Sequence, residues 1–195
     1  MSRLILTRIF LCAIASVVLY ACTEQRSGSI GVPLPKAYPR VALYDTIYRD
    51  AGLPLGFQVN TGAVISNAKQ HESKSENQWI DITYPAYGLT LHCTFIPVDE
   101  STRAQVTANR LERMSLNIGD SYAEQTDLTS TNGCSTVIIN TLGRTLTPLQ
   151  FLSIGEKWIV SGAAKFVADS VTPDSVRPLI EAVKTDIIHA AKSLR

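Results

Sequence analysis

Cys22 is the residue whose type and position point most directly to chemistry. It follows two arginines, Arg3 and Arg8, and an apolar run over residues 9–21. This is the order of an export signal, except that a cysteine stands where the cleaved chain would begin. A thiol at that point can be acylated before cleavage, which leaves a lipid on the new amino terminus.

The N-terminal pattern resembles a bacterial lipoprotein signal, in which a small residue precedes the cysteine, as Ala21 does here. Residues 1–21 are therefore predicted to be removed as a signal peptide. The mature chain then begins at a lipidated Cys22 and binds the membrane through acyl chains such as palmitate. The alternative is an uncleaved membrane helix, but residues 9–21 are short for a span that needs about 20 apolar residues.

Two other cysteines, Cys93 and Cys134, remain after the signal, because Cys12 leaves with it. In an exported compartment this pair could form a disulfide. Two cysteines are too few to define a disulfide framework, so two small buried thiols on strands are the alternative. Neither cysteine has the neighbours that would acidify and expose a nucleophilic thiol.

The remaining residues predict no catalytic site, metal site or cofactor. The three histidines, His71, His92 and His189, are far apart and lack a ligand partner at metal-binding spacing. No nucleophile elbow or phosphate-binding glycine loop occurs. The 18 lysines and arginines, less the two of the signal, leave 16 against 17 acids, and this balance argues against nucleic acid as a partner. We therefore predict that the protein is not an enzyme.

Apolar periodicity predicts two groups of three strands, each followed by a helix. The first helix is expected to begin at Ser101 or Thr102 and the last at Thr172 or Ser175. The order βββαβββα with short links favours an α+β fold, in which helices pack on a largely antiparallel sheet. The strands are expected near residues 56–66, 79–84, 88–98, 135–142, 146–154 and 157–168.

The composition divides the mature chain into two parts. Residues 22–39 are polar and rich in proline and glycine, which predicts a lipidated N-terminus and a flexible tether. Residues 40–195 have the length of one ordinary domain. We expect a single α+β domain there.

Six short segments, spread over nearly all of the mature chain, carry a resemblance to a known family. They are Pro35–Arg40, Trp79–Pro85, Leu89–Leu91, Gln150–Phe151, Trp158–Phe166 and Asp186–His189. In their order and spacing they resemble the GldD family of gliding-motility lipoproteins of Bacteroidota. The chain departs from the family pattern at Ala37, where glycine is expected, and at Lys165, where an aromatic residue is expected.

The resemblance implies an envelope lipoprotein needed for gliding and, in related species, for the secretion system that supports it. It implies no catalytic residue. We therefore expect a non-enzymatic protein that contacts other envelope, motility or secretion proteins. The alternative is a lipoprotein that binds a glycan or lipid in a pocket between sheet and helix. Thr23 and the single acid Glu24 after the cysteine favour an outer-membrane anchor that faces the periplasm.

Lipoproteins of that phylum also suggest a search for O-glycan acceptors. Their short pattern, an aspartate followed by serine or threonine and then a small or aliphatic residue, predicts acceptors at Thr46, Ser170 and Ser175. Ser175 is equally a candidate helix cap.

A candidate partner surface combines Tyr84 and Tyr87 of the predicted hairpin over residues 79–88 with Tyr38 and Arg40 of the adjoining segment 38–40. Tyrosine and arginine are the residue types enriched at binding hot spots. The alternative interpretation of these residues is core packing and turn geometry.

Overall fold

A seven-stranded antiparallel sheet is the central element of the fold. The computed structural model describes residues 42–53, 55–67, 77–143, 145–167 and 173–195. Its strands and helices, in chain order, are β1 Tyr48–Asp50, β2 Gln58–Asn60, β3 Val64–Asn67, β4 Gln78–Tyr84, a 3-10 turn at Pro85–Tyr87, β5 Leu89–Pro97, α1 Glu100–Ile118, β6 Tyr122–Thr129, β7 Ser135–Leu142, β8 Leu149–Ile154, β9 Trp158–Phe166 and α2 Pro173–Ser193.

The strands of the sheet lie in the order β3-β4-β5-β9-β8-β7-β6, and each neighbouring pair is antiparallel. β1 and β2 form a separate two-stranded antiparallel ribbon. The predicted α+β class with a largely antiparallel sheet is confirmed. Residues Pro39–Arg195 group into one compact unit.

The two faces of the sheet carry separate apolar clusters, because successive side chains of a strand point to opposite faces. On β7, Ile138 belongs to one cluster and Ile139 to the other, and on β8 Phe151 and Leu152 divide in the same way. The larger cluster includes buried side chains of α2, and the smaller one includes Met114 of α1. The sheet therefore has an α2 face and an α1 face.

α2 covers its face of the sheet with a wide apolar stripe. Residues at helical spacing point to the sheet, and Val183 at the centre of the stripe is fully buried. Each buried valine, leucine or isoleucine of the stripe contributes roughly 1.5–3 kcal/mol to folding. The buried members of the stripe are Val176, Leu179, Ile180, Val183, Ile187, Ala190 and Ala191.

α1 is held by its N-terminus and packs lightly. Asp99 is the N-cap, and its carboxylate accepts hydrogen bonds from the backbone N–H and the hydroxyl of Thr102, both at 2.8 Å. A hydrogen bond from the Ser101 hydroxyl, together with these two from Thr102, lowers the pKa of Asp99 to about 2. Met114 is the buried residue of the helix, and α1 contacts β8 and β9.

Three details of the predicted strand order are wrong. The expected single strand over 56–66 is broken by a turn at 61–63, so that β2 and β3 belong to different sheets. The Asn60 side chain accepts a 2.9 Å bond from the N–H of Gly62 and stabilises this turn. β1 and β6 were not predicted, because most of their side chains are exposed on both sides and show no apolar alternation.

Candidate functional site

The candidate site is a polar network beneath the segment through which the chain enters the domain. We call residues 42–50 the entry segment. Two tyrosines of this segment, Tyr44 and Tyr48, reach the rest of the domain in different places. Tyr44 contacts the turn after β4, and Tyr48 contacts α2.

Tyr44 joins a cluster of three tyrosine rings. Its ring centroid lies 4.7 Å from that of Tyr87 and 6.3 Å from that of Tyr84. The backbone N–H of Tyr44 donates to the Tyr87 hydroxyl at 2.8 Å, and the N–H of Ala86 donates to the Tyr44 hydroxyl at 2.9 Å. A Cβ on Gly62 would overlap the Tyr44 ring. Close packing around the Tyr44 ring therefore fixes this part of the entry segment.

Tyr48 connects the entry segment to α2 through two side chains one helical turn apart. Its hydroxyl donates a 3.0 Å hydrogen bond to Oδ1 of Asp186. Its ring stacks on the imidazole of His189, with centroids 3.6 Å apart and planes inclined by 9°. Spacing of three residues places both partners on the same side of the helix.

Asp186 is the centre of the network, because its carboxylate gathers donors from three strands. Besides Tyr48 of β1, the Asn60 side-chain amide of β2 donates to Oδ1 at 3.3 Å, and the Tyr84 hydroxyl of β4 also bonds this carboxyl. Burial raises the pKa of Asp186, while these hydrogen bonds oppose the rise. We call Tyr48, Asn60, Tyr84, Asp186 and His189 the Asp186 network.

Further polar contacts extend the Asp186 network along α2. Nε2 of His189 lies 2.8 Å from Oε1 of Gln58, so this nitrogen carries the proton and donates. The backbone N–H of Gln58 donates to the Ser193 hydroxyl at 3.1 Å. The Asn60 amide also donates to the backbone carbonyl of Asp45 at 3.0 Å. The ribbon β1-β2 is thereby bound to the helix along its length.

The chemistry of the Asp186 network is structural. Asp186 is 9% exposed, and its donors are tyrosine and asparagine side chains that hold the carboxylate in place. A carboxylate held in this way stabilises a fixed arrangement of β1, β2 and α2. The Tyr48 hydroxyl keeps its proton, because burial and the neighbouring carboxylate raise its pKa to about 12.

Asp186 is not among the site residues predicted from the sequence. It lies between Val183 and Ala190 of the apolar stripe, at helical spacing from both. A carboxylate on the buried side of a helix needs a partner. That position was the available signal, but its partners in β1, β2 and β4 are more than 100 residues away.

The predicted partner surface is not assembled in the described residues. Tyr84 is 2% exposed and Tyr87 is 6% exposed, so both belong to the core, as the alternative interpretation held. Their hydroxyl groups have partners within the domain, which is why these polar-tipped rings can be buried. Tyr38 and Arg40 lie outside the described residues.

The structure does not bring Cys93 and Cys134 together. Both are buried free thiols. Cys93 is on β5 and Cys134 directly precedes β7, and with β9 and β8 between them three strand spacings separate the two by about 14 Å. A disulfide needs Cα atoms within about 7 Å. Burial raises the pKa of the Cys93 thiol strongly, so it is not a nucleophile.

The modification sites differ in their surroundings. Thr46 is exposed in the entry segment. Ser175 is half-buried in the first turn of α2. Cys22 and Ser170 lie outside the described residues.

The α1 face carries an exposed histidine–aspartate pair. Nδ1 of His92 lies 2.6 Å from Oδ1 of Asp81, its cross-strand neighbour in β4. The His92 side chain is 52% exposed. No group of three histidine, cysteine or acidic side chains that could hold a metal is present in the part of the chain that the structure describes. The pair is a cross-strand contact between β4 and β5.

A cleft of about 330 Å³ opens beside Cys134, where the end of α2 approaches β8 and β9. Its lining combines apolar side chains with two cations and one acid. The side chains that define it are Leu55, Cys134, Trp158 and Leu194, with Lys157, Arg195 and Glu156 among the polar ones.

Neither described helix combines the length and the apolar character needed to cross a membrane. No curated protein and no solved structure matches the chain significantly. The sequence model of the family described as gliding motility lipoprotein GldD matches residues 28–195, which is most of the chain. The protein therefore belongs to the GldD family of gliding motility lipoproteins.

Proposed function

We propose that this protein is a non-enzymatic lipoprotein of the cell envelope that acts by contacts with other proteins of the gliding or associated secretion machinery. The observation that carries the proposal is the bond between Tyr48 and Asp186. It fixes the entry segment to α2, so a force applied to that segment is transmitted to the whole domain. A domain built in this way is suited to hold partners at a set place.

Two buried reactive side chains and one exposed pair are consistent with the proposed contact function. The carboxylate of Asp186 is buried and hydrogen-bonded within the domain, and the thiol of Cys93 is buried within the sheet. The pair His92 and Asp81 is open to solvent, since the two side chains are 52% and 29% exposed. Catalysis requires groups that converge on a substrate from several sides.

The anchor and its sidedness are part of the proposal. Cys22 carries the lipid, and residues 22–39 link it to the domain in the sequence. The anchor lies in the outer membrane and faces the periplasm. Family membership supports an envelope location, and the absence of acidic residues at positions 23 and 25–27 supports retention on the periplasmic side.

Affinity capture from native membranes tests the contact function. The tagged, lipidated protein is crosslinked mildly, captured and analysed by mass spectrometry, with Cys22→Ala as the matched variant without the lipid. Enrichment of motility or secretion proteins that depends on Cys22 is the expected result. If no protein is enriched over the Cys22→Ala control, the contact function fails.

A second candidate function rests on the cleft beside Cys134. Its volume of about 330 Å³ is at the lower limit of small-molecule pockets, and Lys157 and Arg195 could bind an acidic group of a glycan or lipid. Thermal shift of the full chain with envelope glycans and lipids tests this function. Saturable stabilisation that Lys157→Ala abolishes would favour it over the contact function.

A further inference from the structure

β6 is a long free edge of the central sheet. Among the described residues it pairs with β7 alone, and it ends the strand order. Its register with β7 runs without a break from the pair Tyr122 and Leu142 to the pair Thr129 and Ser135. The edge therefore has no bulge, and every second residue directs its N–H and C=O groups away from the sheet.

The length of β6 sets it apart from the opposite edge. β3, the other end of the sheet, has four residues, whereas β6 has eight, of which six are exposed. Edges are commonly protected by shortness, by bulges, by proline or by charged side chains, lysine above all. Residues 120–129 contain no proline, lysine or arginine. The backbone of β6 is thus an open template for another strand.

The charge of this edge has one sign. Asp120, Glu124 and Asp127 are the ionisable acids of residues 120–129, and no cation accompanies them. Glu124 lies on the same side of the strand as Tyr122, and Asp127 lies on the other side, because side chains alternate. An added strand would meet a carboxylate on both faces.

The same charge opposes pairing with a second copy of this chain. An antiparallel β6–β6 contact would bring the acids of both chains together without a cation between them, and like charges opposite one another across a strand pair are destabilising. Lysine or arginine side chains opposite Glu124 and Asp127 would instead each form a favourable pair of opposite charges. The charge pattern therefore selects a basic partner.

An apolar anchor lies at one end of the edge. The Tyr122 side chain is 85% exposed, and its register partner Leu142 is 40% exposed. Tyrosine is a frequent anchor in protein contacts. At the other end, Leu128 packs against the core beneath α2, so the strand is held rigidly while its edge stays accessible.

We propose that β6 is a docking strand to which a partner protein adds an extended, basic segment as an eighth strand. Backbone hydrogen bonds supply the affinity, as in other cases of strand addition. Glu124, Asp127 and Tyr122 select lysine or arginine at two positions and an apolar side chain near the end. This inference rests on the proposed contact function and names the surface and the chemistry of the partner.

Site-specific photocrosslinking tests the proposal. A benzophenone amino acid replaces Gln125 in the full lipidated chain, and the crosslinked residues of the partner are mapped in native membranes. The expected adduct joins position 125 to an extended segment that contains at least two lysines or arginines. The double reversal E124K with D127K is expected to lower its yield about tenfold, because two attractions become repulsions.

A matched control reverses two charges elsewhere. Glu112 and Glu181 are exposed on α1 and α2, and E112K with E181K changes the net charge equally. This variant is expected to retain the adduct. Equal loss in both double variants would overturn the proposal, because charge alone would then explain the effect. An adduct to residues of the same chain or to a second copy would also overturn it.

Proline substitutions at two successive positions distinguish loss of the docking edge from loss of folding stability. One of Gln125 and Thr126 directs its N–H toward β7 and the other directs it outward. At the position whose N–H points toward β7, proline is expected to lower the melting temperature. At the position whose N–H points outward, proline is expected to abolish the adduct and leave the melting temperature unchanged. For these variants, benzophenone replaces Ala123. If the variant with unchanged melting temperature keeps its partner, the docking strand is refuted while the contact function stands. If the unmodified chain captures no partner, the contact function itself fails.

Discussion

The hydroxyl of Tyr48 donates a 3.0 Å hydrogen bond to Oδ1 of Asp186, although 138 positions separate the two residues. This bond connects the first strand of the described chain with its last helix. Asn60 donates to the same oxygen, so one buried carboxylate links β1, β2 and α2. The first described segment of the chain is thereby bound to the main core.

Replacement of Asp186 by alanine tests the central role of this carboxylate. The change leaves the donors of Tyr48, Asn60 and Tyr84 without their acceptor, and we expect the free energy of unfolding to fall by roughly 2–4 kcal/mol. Asp186→Asn keeps one acceptor oxygen and should fall between this variant and the unchanged protein. Urea denaturation measures each value.

Glu181→Ala is the matched control for Asp186→Ala, since it removes an exposed carboxylate from the same helix. Its effect should stay within about 0.5 kcal/mol. A loss at Asp186 no larger than this would mean that the carboxylate does not hold the entry segment.

Tyr48→Phe isolates the hydroxyl from the ring. The ring keeps its stacking on His189, while the bond to Asp186 is lost, and we expect a loss of about 1–2 kcal/mol. Hydrogen exchange should quicken in residues 42–50 more than in β5 or β9. Tyr122→Phe removes a hydroxyl from a side chain that is 85% exposed and is expected to change neither quantity. Equal effects of the two variants would count against the proposed attachment.

Alkaline pH should weaken the same attachment. The pKa of Tyr48 is raised from 10.0 to about 12 by burial and by Asp186, so the folded protein keeps a proton that the unfolded chain loses. Stability from this group is therefore full below pH 10 and is lost as pH rises toward 12. Burial raises the pKa of Tyr84 and Tyr87 in the same direction.

The measurement is the free energy of unfolding at several pH values between 10 and 12. The unchanged protein should lose stability over this interval, and Tyr48→Phe should lose less, because one of the three contributing hydroxyls is gone. A decline of the same steepness in both proteins would contradict the role given to Tyr48.

Patterns within one element could be predicted from the sequence, whereas pairings between elements could not. β5 alternates apolar and polar side chains, and α2 repeats apolar residues at helical spacing, so both follow from local periodicity. β6 lacks alternation because both of its sides face solvent over most of its length. Tyr84, Asp186 and Tyr48 are far apart in the sequence, so their contacts could not be predicted from it. Residue type alone therefore made Tyr84 a candidate for the partner surface.

Gly162 makes room for the ring of Phe151 at the centre of the sheet. The two residues are register partners on β9 and β8, and Phe151 is 1% exposed. A Cβ on residue 162 would overlap this ring. Gly162→Ala should therefore lower the free energy of unfolding by about 1–3 kcal/mol, the usual cost of overpacking.

Phe151→Leu provides the test of that explanation, because the smaller side chain leaves space for a methyl group. If the ring is the cause, Gly162→Ala should cost less in the Phe151→Leu background than in the unchanged protein, and urea denaturation of the four proteins gives the coupling energy. We expect a coupling of roughly 1 kcal/mol, as for other residues in direct contact. Additive losses would mean that the alanine disturbs the backbone of β9 and not the packing of Phe151.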